Sequence, residues 1–152
     1  MNRVFILRHA KAGEHTTSDH ERPLTDVGRE QARKLGQWFH ENEIEFDVVL
    51  TSSSFRTVET VEHLGLSVGF TIVPRLYSAP AHTIESVIRE SGLEKGTLLI
   101  VAHNPGVSDL VVQAGYEGSL QTCAVVELDG ETNLTEFSAE LFEPVNSFRP
   151  VT

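Results

Sequence analysis

Three short runs of apolar residues limit the folds that this chain can adopt. They lie at Val4–Leu7, within Asp47–Thr51 and within Thr97–Ala102. A continuous apolar run of this length is typical of a strand buried on both faces, as in parallel sheets. Segments with helical periodicity separate the three runs. This alternation of strands and helices predicts a mostly parallel sheet covered by helices on both faces.

Four segments have the pattern of amphipathic helices. In the first, Thr25 is suited to be the N-cap and Gly28 falls in the first turn, and the apolar face consists of Ala32, Leu35, Trp38 and Phe39. The other three extend from about Phe55 to Leu64 before Gly65, from about Ala81 to Glu90, and from Pro105–Gly106 through Val107, Leu110 and Val111. Glycine after a helix and proline near its first position are ordinary terminal signals.

The C-terminal third has a different pattern. Cys123–Leu128 and Leu134–Leu141 resemble strands, and Asp129–Gly130 with a polar loop separates them. In the second segment Glu136, Ser138 and Glu140 alternate outward, which predicts a β-hairpin. We find no repeat or linker, so residues 1–152 are predicted to form a single domain. The expected fold is α/β: a three-layer α/β/α sandwich whose mostly parallel central sheet carries the C-terminal β-hairpin at its edge.

Polar residues follow three of the predicted strands. Arg8–His9 follows the first, Thr51–Arg56 follows the second, and His103–Gly106 follows a later one. Open parallel sheets bind ligands at the carboxyl ends of their strands, so two histidines and two arginines are expected to face one crevice. Arginine matches phosphate oxygens in a bidentate way, and a helix N-terminus after Asn104 adds positive potential. Histidine supplies a nucleophile, so the set suits phosphoryl transfer.

Less functional interpretations of the same residues stay open. Arg8 and Arg56 could each be surface ion-pair partners, and Arg22 could line the substrate entrance or pair with Asp19 or Glu21. A serine nucleophile is disfavoured, because Ser52–Ser54 are not in a Gly-x-Ser-x-Gly sequence. These serines are better suited to shape the turn and cap the helix that carries Arg56.

Charge and composition exclude several classes of partner. A net charge of −10 argues against nucleic acid as the main partner. The run Val4–Leu7 is too short to cross a membrane or to form a signal peptide. The lone Cys123 excludes an internal disulfide and suits a reducing cytoplasm, where we expect the protein to reside. His15 and His20 bracket Asp19, but no matching ligand set exists, so we expect neither a metal nor another cofactor.

Four motifs in order resemble the histidine phosphatase superfamily, which has a phosphoglycerate mutase-like fold. They are Arg8-His9-Ala10, Leu24-Thr25-x-x-Gly28-x-x-Gln31-Ala32, Ser53-x-x-Arg56-Thr57-x-Glu59-Thr60 and Val101-Ala102-His103-Asn104-Pro105-Gly106. The short chain, Arg22-Pro23-Leu24-Thr25 and His103-Asn104-Pro105-Gly106 resemble the SixA-like phosphohistidine phosphatase branch. This resemblance implies that His9 is transiently phosphorylated while Arg8, Arg56 and His103 hold the phosphoryl oxygens. Arg22 and Asn104 are the predicted substrate-binding residues.

Two positions depart from the superfamily pattern. Ala10 replaces the usual glycine, which is harmless unless the position needs a positive φ. The acidic proton donor that many members carry after a Leu-Tyr-like segment is absent, since no carboxylate follows Tyr77 until Glu85, inside a predicted helix. Acid catalysis typically contributes about 10²–10⁴-fold, so hydrolysis of alkyl phosphates should be slow.

Imidazole leaves more readily than an alkoxide, and this favours phosphohistidine as the substrate. The sequence therefore predicts a cofactor-independent phosphatase that acts on phosphohistidine in a protein. The alternatives are a phosphatase for a small molecule, such as a sugar phosphate or nucleotide, and a phosphate-binding module with little catalysis. The sequence leaves the oligomeric state open.

Overall fold

The computed structural model describes residues 1–14 and 18–151. His15, considered above as a metal ligand, lies outside the described residues. The strands and helices follow in chain order: β1 (Asn2–Arg8), α1 (Asp26–Glu41), β2 (Val48–Thr51), α2 (Phe55–Leu64), β3 (Thr71–Ile72), α3 (Ala81–Arg89), β4 (Thr97–Ala102), α4 (Gly106–Gln113), β5 (Val125–Gly130) and β6 (Glu143–Phe148).

The described strands form one mixed sheet in the order β3-β2-β4-β1-β5-β6. Neighbouring strands from β3 to β1 are parallel, and β5 and β6 are antiparallel additions next to β1. In the central pair, Ile6 lies opposite Ile100. The sheet is thus mostly parallel with an antiparallel edge, as predicted.

Alternate residues of the central strands enter two separate cores. Val4 and Ile6 pack on the face covered by α3 and α4, whereas Phe5 and Leu7 pack on the face covered by α1 and α2. Successive side chains of a strand point to opposite faces, so a strand buried on both faces needs an unbroken apolar run. The predicted three-layer sandwich is confirmed.

Most of the predicted helix limits are also confirmed. The Thr25 side chain accepts a hydrogen bond from the Gly28 amide as the N-cap of α1, and α2 extends from Phe55 to Leu64 with Gly65 in the left-handed conformation. Along the described part of the chain, no helix combines the length and hydropathy needed to cross a membrane.

The second strand of the C-terminal hairpin was predicted in the wrong place. Residues 134–141 form two 3₁₀ turns, and β6 begins at Glu143. The backbone of the 134–141 segment bonds to the α3 side of the molecule: Arg89 donates to the Phe137 carbonyl, and the Ala139 amide donates to Glu85. The buried side chains of this segment belong to the core formed with α3 and α4. The apolar pattern therefore reflects packing against helices and not pairing in the sheet.

The shortest strand, β3, was not predicted. Thr71 and Ile72 are both exposed and pair with the end of β2 at the edge of the sheet. An exposed two-residue strand has no buried face, and it therefore leaves no hydrophobic pattern in the sequence.

The close contact between α1 and α2 depends on Gly36. A Cβ atom at this position would overlap the backbone carbonyl of Leu64 at the end of α2. We expect Gly36→Ala to lower the free energy of unfolding by about 1–3 kcal/mol, because the helices must separate to admit the methyl group. Chemical denaturation measures the change, and Gly69→Ala is a matched control because nothing lies within 4 Å of a Cβ there. Equal denaturation midpoints for the two variants would contradict this packing.

Candidate active site

The two histidines singled out by the sequence lie at a reversal in the sheet topology. β1 and β4 are parallel neighbours, but the helix that follows β1 covers one face of the sheet and the helix that follows β4 covers the other. Such a reversal opens a crevice at the carboxyl ends of the strands. His9 and His103 occupy it, both buried, with ring centroids 5.4 Å apart.

His9 is held in one tautomer by the backbone of the next residue. Its Nδ1 lies 2.7 Å from the carbonyl oxygen of Ala10. A carbonyl oxygen only accepts hydrogen bonds, so Nδ1 carries the hydrogen and Nε2 carries the lone pair. Burial, together with the charges of Arg56, Arg8 and Arg22, lowers the pKa of His9 to about 4. The ring is therefore neutral near pH 7, with a free nitrogen lone pair.

His103 is oriented by α2 and the turn before it. Its Nε2 lies 2.8 Å from Ser52 Oγ, and its Nδ1 lies 3.5 Å from an Nη2 of Arg56. A guanidinium only donates, so Nδ1 is the acceptor and Nε2 donates its hydrogen to Ser52. Burial, and then the charges of His9 and Arg56, lower the pKa of His103 to about 3.

Arg56 is a buried charge in the first turn of α2. Its Nη1 donates to the carbonyl oxygen of Asp19 at 2.7 Å and its Nη2 donates to the Asp19 carboxylate at 3.0 Å. Ser54 caps α2 by accepting from the Thr57 amide, as predicted for this serine run. The cap fixes the start of the helix and with it the direction of the Arg56 side chain.

Arg8, at the end of β1, has an unused donor. Its Nη1 donates to the Leu120 carbonyl oxygen at 3.3 Å, but its Nε is buried without a hydrogen-bond partner in the described structure. Burial, and then the charges of Arg149 and Arg56, lower the pKa of Arg8. A buried donor without an acceptor is costly, and a cluster of positive charges makes an anion the natural acceptor.

The two predicted substrate-binding residues have different positions. Arg22 donates to the Gly13 carbonyl and to Asp19, and its charge also lowers the pKa of His9. The predicted ion pair with Asp19 is therefore present, whereas a role of Arg22 at the substrate entrance stays a prediction. The Asn104 amide donates to the Leu120 carbonyl and accepts from Ser108, so both of its ends are engaged within the protein. Its role in substrate binding stays a prediction.

The remaining motif residues shape the loop after β1. Thr60 Oγ1 accepts from the Ala10 amide and donates to the Arg56 carbonyl, so one hydroxyl joins the two segments that carry His9 and Arg56. Gln31 accepts from the Lys11 amide, and a Cβ on Gly28 would overlap the Lys11 carbonyl. Ala10 does not have a positive φ, so alanine fits without strain.

The sequence did not identify Asp19 as a residue of this site. Its carboxylate accepts hydrogen bonds from Tyr77, Arg22 and Arg56. These hydrogen bonds hold the pKa of Asp19 well below its usual range. The Arg22–Asp19 pair is visible as neighbours in sequence, but nothing in the sequence indicates that Arg56 and Tyr77 meet the same carboxylate.

Glu85 and the other acidic groups of the described residues were also considered as a proton donor or a metal centre. Glu85, the first carboxylate after Tyr77, accepts from the Ala139 amide in the segment that follows β5. Across residues 1–14 and 18–151, no group of three or more His, Cys, Asp or Glu side chains is arranged to hold a metal ion.

Comparison with known proteins gives consistent results. A model of the histidine phosphatase superfamily (branch 1) matches residues 4–77. An uncharacterized protein of Mycobacterium tuberculosis, strain H37Rv, is 35% identical over 115 residues, which cover 74% of this chain and 73% of the relative. Phosphohistidine phosphatase SixA of Escherichia coli is 29% identical over 116 residues, which cover 72% of each chain.

Comparison with solved structures agrees with the sequence comparison. The structure of the protein histidine phosphatase SixA complexed with tungstate superposes with a TM-score of 0.82 at 23% identity, covering 97% of this chain and 96% of the other. The superposition extends through nearly the whole α/β/α sandwich. The chain belongs to the histidine phosphatase superfamily, a superfamily of phosphatases, and resembles its SixA-like branch.

Proposed function

We propose that this protein removes phosphoryl groups from phosphohistidine side chains of a protein, through a phosphorylated intermediate on His9. The observation that carries the proposal is the state of His9. Its Nε2 has a free lone pair, its ring is neutral, and arginine charges surround it. A neutral imidazole beside a cluster of cations is prepared to attack an anionic phosphorus centre.

The positive groups around His9 would hold the phosphoryl oxygens. Arg8 offers its buried Nε, which has no hydrogen-bond partner among the described residues, and Arg56 has guanidinium hydrogens beyond the two that Asp19 accepts. His103 faces Arg56 with an unprotonated Nδ1, so it becomes a donor to phosphate only after taking up a proton. A dianionic phosphoryl group favours that proton, because it offsets the arginine charges that oppose it.

The states of Asp19 and Glu85 favour a leaving group that needs no proton donor. Asp19 is ionised at neutral pH and cannot act as an acid, and Glu85 is bonded to the Ala139 amide. Cleavage of an alkyl ester without an acid would expel an alkoxide, which is a poor leaving group. An imidazole ring leaves without that help, so a phosphoramidate is the better substrate. The name of the Escherichia coli relative, phosphohistidine phosphatase, supports the same substrate class.

The proposal is tested by trapping the enzyme during turnover and comparing substrates. A radiolabelled phosphohistidine protein should leave label on His9, and this label should be lost in acid and retained in alkali. A panel containing phosphohistidine protein, a sugar monophosphate and a nucleotide should show the highest kcat/KM for the first. Absence of acid-labile label on His9 would exclude the mechanism, and preference for the sugar phosphate or nucleotide would overturn the substrate.

A further inference from the structure

Asp19 lies at the mouth of the crevice with part of its carboxylate available. One oxygen accepts from Arg22 at 2.9 Å, and the other accepts from Arg56 at 3.0 Å and from the Tyr77 hydroxyl. The side chain remains 50% exposed, whereas Arg56 is only 7% exposed. A carboxylate has about four acceptor positions, so the oxygen bonded to Arg22 can accept a further hydrogen bond.

Two aromatic rings lie beside this carboxylate. The ring of Tyr77 packs edge-on against His20 with centroids 4.9 Å apart and against His103 with centroids 5.5 Å apart. His20 is itself fixed by a contact of 3.0 Å between its Nε2 and Ser53 Oγ. Asp19 is thus next to both the arginine that faces the phosphoryl site and a pair of rings. This neighbourhood suits a flat ring that carries positive charge, because aromatic faces and carboxylates both attract cations.

We propose that Asp19 is a specificity-determining residue that accepts a hydrogen bond from the protonated nitrogen of the leaving imidazole ring. The inference rests on the proposed function, because it concerns the leaving group of a phosphohistidine substrate. Phosphohistidine carries its phosphoryl group on one ring nitrogen, and the other nitrogen can bind a proton. A carboxylate within reach of that proton favours the cationic, more reactive form of the substrate.

The chemical step balances without a proton donor from the protein. The lone pair of His9 Nε2 forms a bond to phosphorus while the bond from phosphorus to the leaving ring nitrogen breaks. The electron pair of the broken bond stays on that nitrogen. Because the other ring nitrogen already carries a proton, the ring leaves as neutral imidazole. Asp19 retains its negative charge throughout and keeps the needed proton on the substrate.

The same charge would not help an ester substrate. A phosphate ester has no cationic leaving group, and an ionised carboxylate near its departing oxygen opposes the negative charge that develops there. Asp19 thus favours a phosphohistidine substrate by attracting its cationic ring, and it disfavours an ester by repelling the negative charge on the departing oxygen. Specific sites commonly combine attraction and repulsion in this way. The groups that bond to Asp19 are Arg22 on its own loop, Arg56 from α2 and Tyr77 from the turn before α3, and the charge of Asp19 also acts on His103 after β4.

The experiment compares phosphoimidazole with p-nitrophenyl phosphate in Asp19→Asn. Asparagine keeps the size of the side chain but removes its charge. The rate of phosphoenzyme formation should fall for both substrates, since Arg56 and Arg22 lose a charged partner. The ratio of the phosphoimidazole rate to the aryl phosphate rate should fall by a further factor of about ten or more, equivalent to about 1.4 kcal/mol.

A pH profile separates this role from mere support of Arg56. With wild-type enzyme and phosphoimidazole, two rate constants are followed as the pH is raised. The rate constant of phosphoenzyme formation at saturating substrate reports the protonation of the bound ring, and the second-order rate constant reports that of the free ring. The first should decline at a higher pH than the second, because the bound ring holds its proton more tightly than the free ring. The two declines should coincide in Asp19→Asn. Asp26→Asn, an exposed carboxylate paired with Arg29 on α1, is the matched control and should behave as wild type.

Each outcome decides a different question. Equal losses for the two substrates and an unchanged pH profile would show that Asp19 only supports the arginines, and this would overturn the inference. Faster reaction of both substrates would mean that Asp19 competes with the phosphoryl group for the arginines, and this result would also overturn the inference. If wild-type enzyme fails to form phosphoenzyme from phosphoimidazole, the proposed function itself fails.

Discussion

Replacing His9 by alanine is expected to lower turnover by about 10⁴-fold or more, because removal of a covalent nucleophile leaves only binding and charge stabilisation. The rate should fall for p-nitrophenyl phosphate and for phosphohistidine protein alike, since both reactions would pass through the same intermediate. Steady-state kinetics with each substrate measures the loss. Trapping experiments on the variant should show no acid-labile phosphate.

The control for this variant is another histidine of the same chain. His40 lies exposed near the end of α1, far from the crevice, so His40→Ala should retain wild-type turnover. Circular dichroism should show that His9→Ala is folded, because the His9 side chain bonds to the Ala10 carbonyl and contacts the His103 ring but is not part of either hydrophobic core. Comparable turnover by the folded His9→Ala variant would place the reaction at another nucleophile.

Replacing Arg56 by alanine should produce the next largest loss, about 10²–10³-fold in kcat/KM, the range seen when a preorganised donor to developing charge is removed. The residue is buried, so no other mobile side chain can readily substitute for its guanidinium. Arg56→Lys should restore only part of the activity, because an ammonium cannot reproduce the planar fork that bonds Asp19 and faces His103.

Loss of Arg56 should also change the protonation of its neighbours. Its positive charge lowers the pKa of both His9 and His103, so each pKa should rise in Arg56→Ala. NMR titration of the ring carbons measures this. The surface variant Arg33→Ala, which loses an exposed pair with Glu30, should alter neither kcat/KM nor the histidine titrations. A normal kcat/KM for Arg56→Ala would remove Arg56 from phosphoryl binding.

The sequence predicted the strands and helices correctly where they depend on residues that are close together in the chain. The double-sided burial of β1 and β4 requires a continuous apolar run, and the caps of α1 and α2 use residues within three positions of the helix start. The 134–141 segment was misassigned because its apolar residues pack beneath α3. That packing involves partners about 50 residues earlier, and alternation alone could not indicate them.

The features of the candidate site also divide into those that the sequence predicted and those that only the tertiary structure revealed. By itself, the sequence determined that His9, Arg56 and His103 follow buried strands, and the rule for parallel sheets then predicts that they meet at one edge. Only the tertiary structure decided which tautomer His9 adopts, that the Arg8 Nε is unpaired among residues 1–14 and 18–151, and that Asp19 joins the site. Asp19 meets Arg56 across 37 positions and Tyr77 across 58. Such contacts form between segments that are far apart in the sequence and meet only in the folded protein. A strand and the residue that follows it, by contrast, are determined by residues adjacent in the sequence.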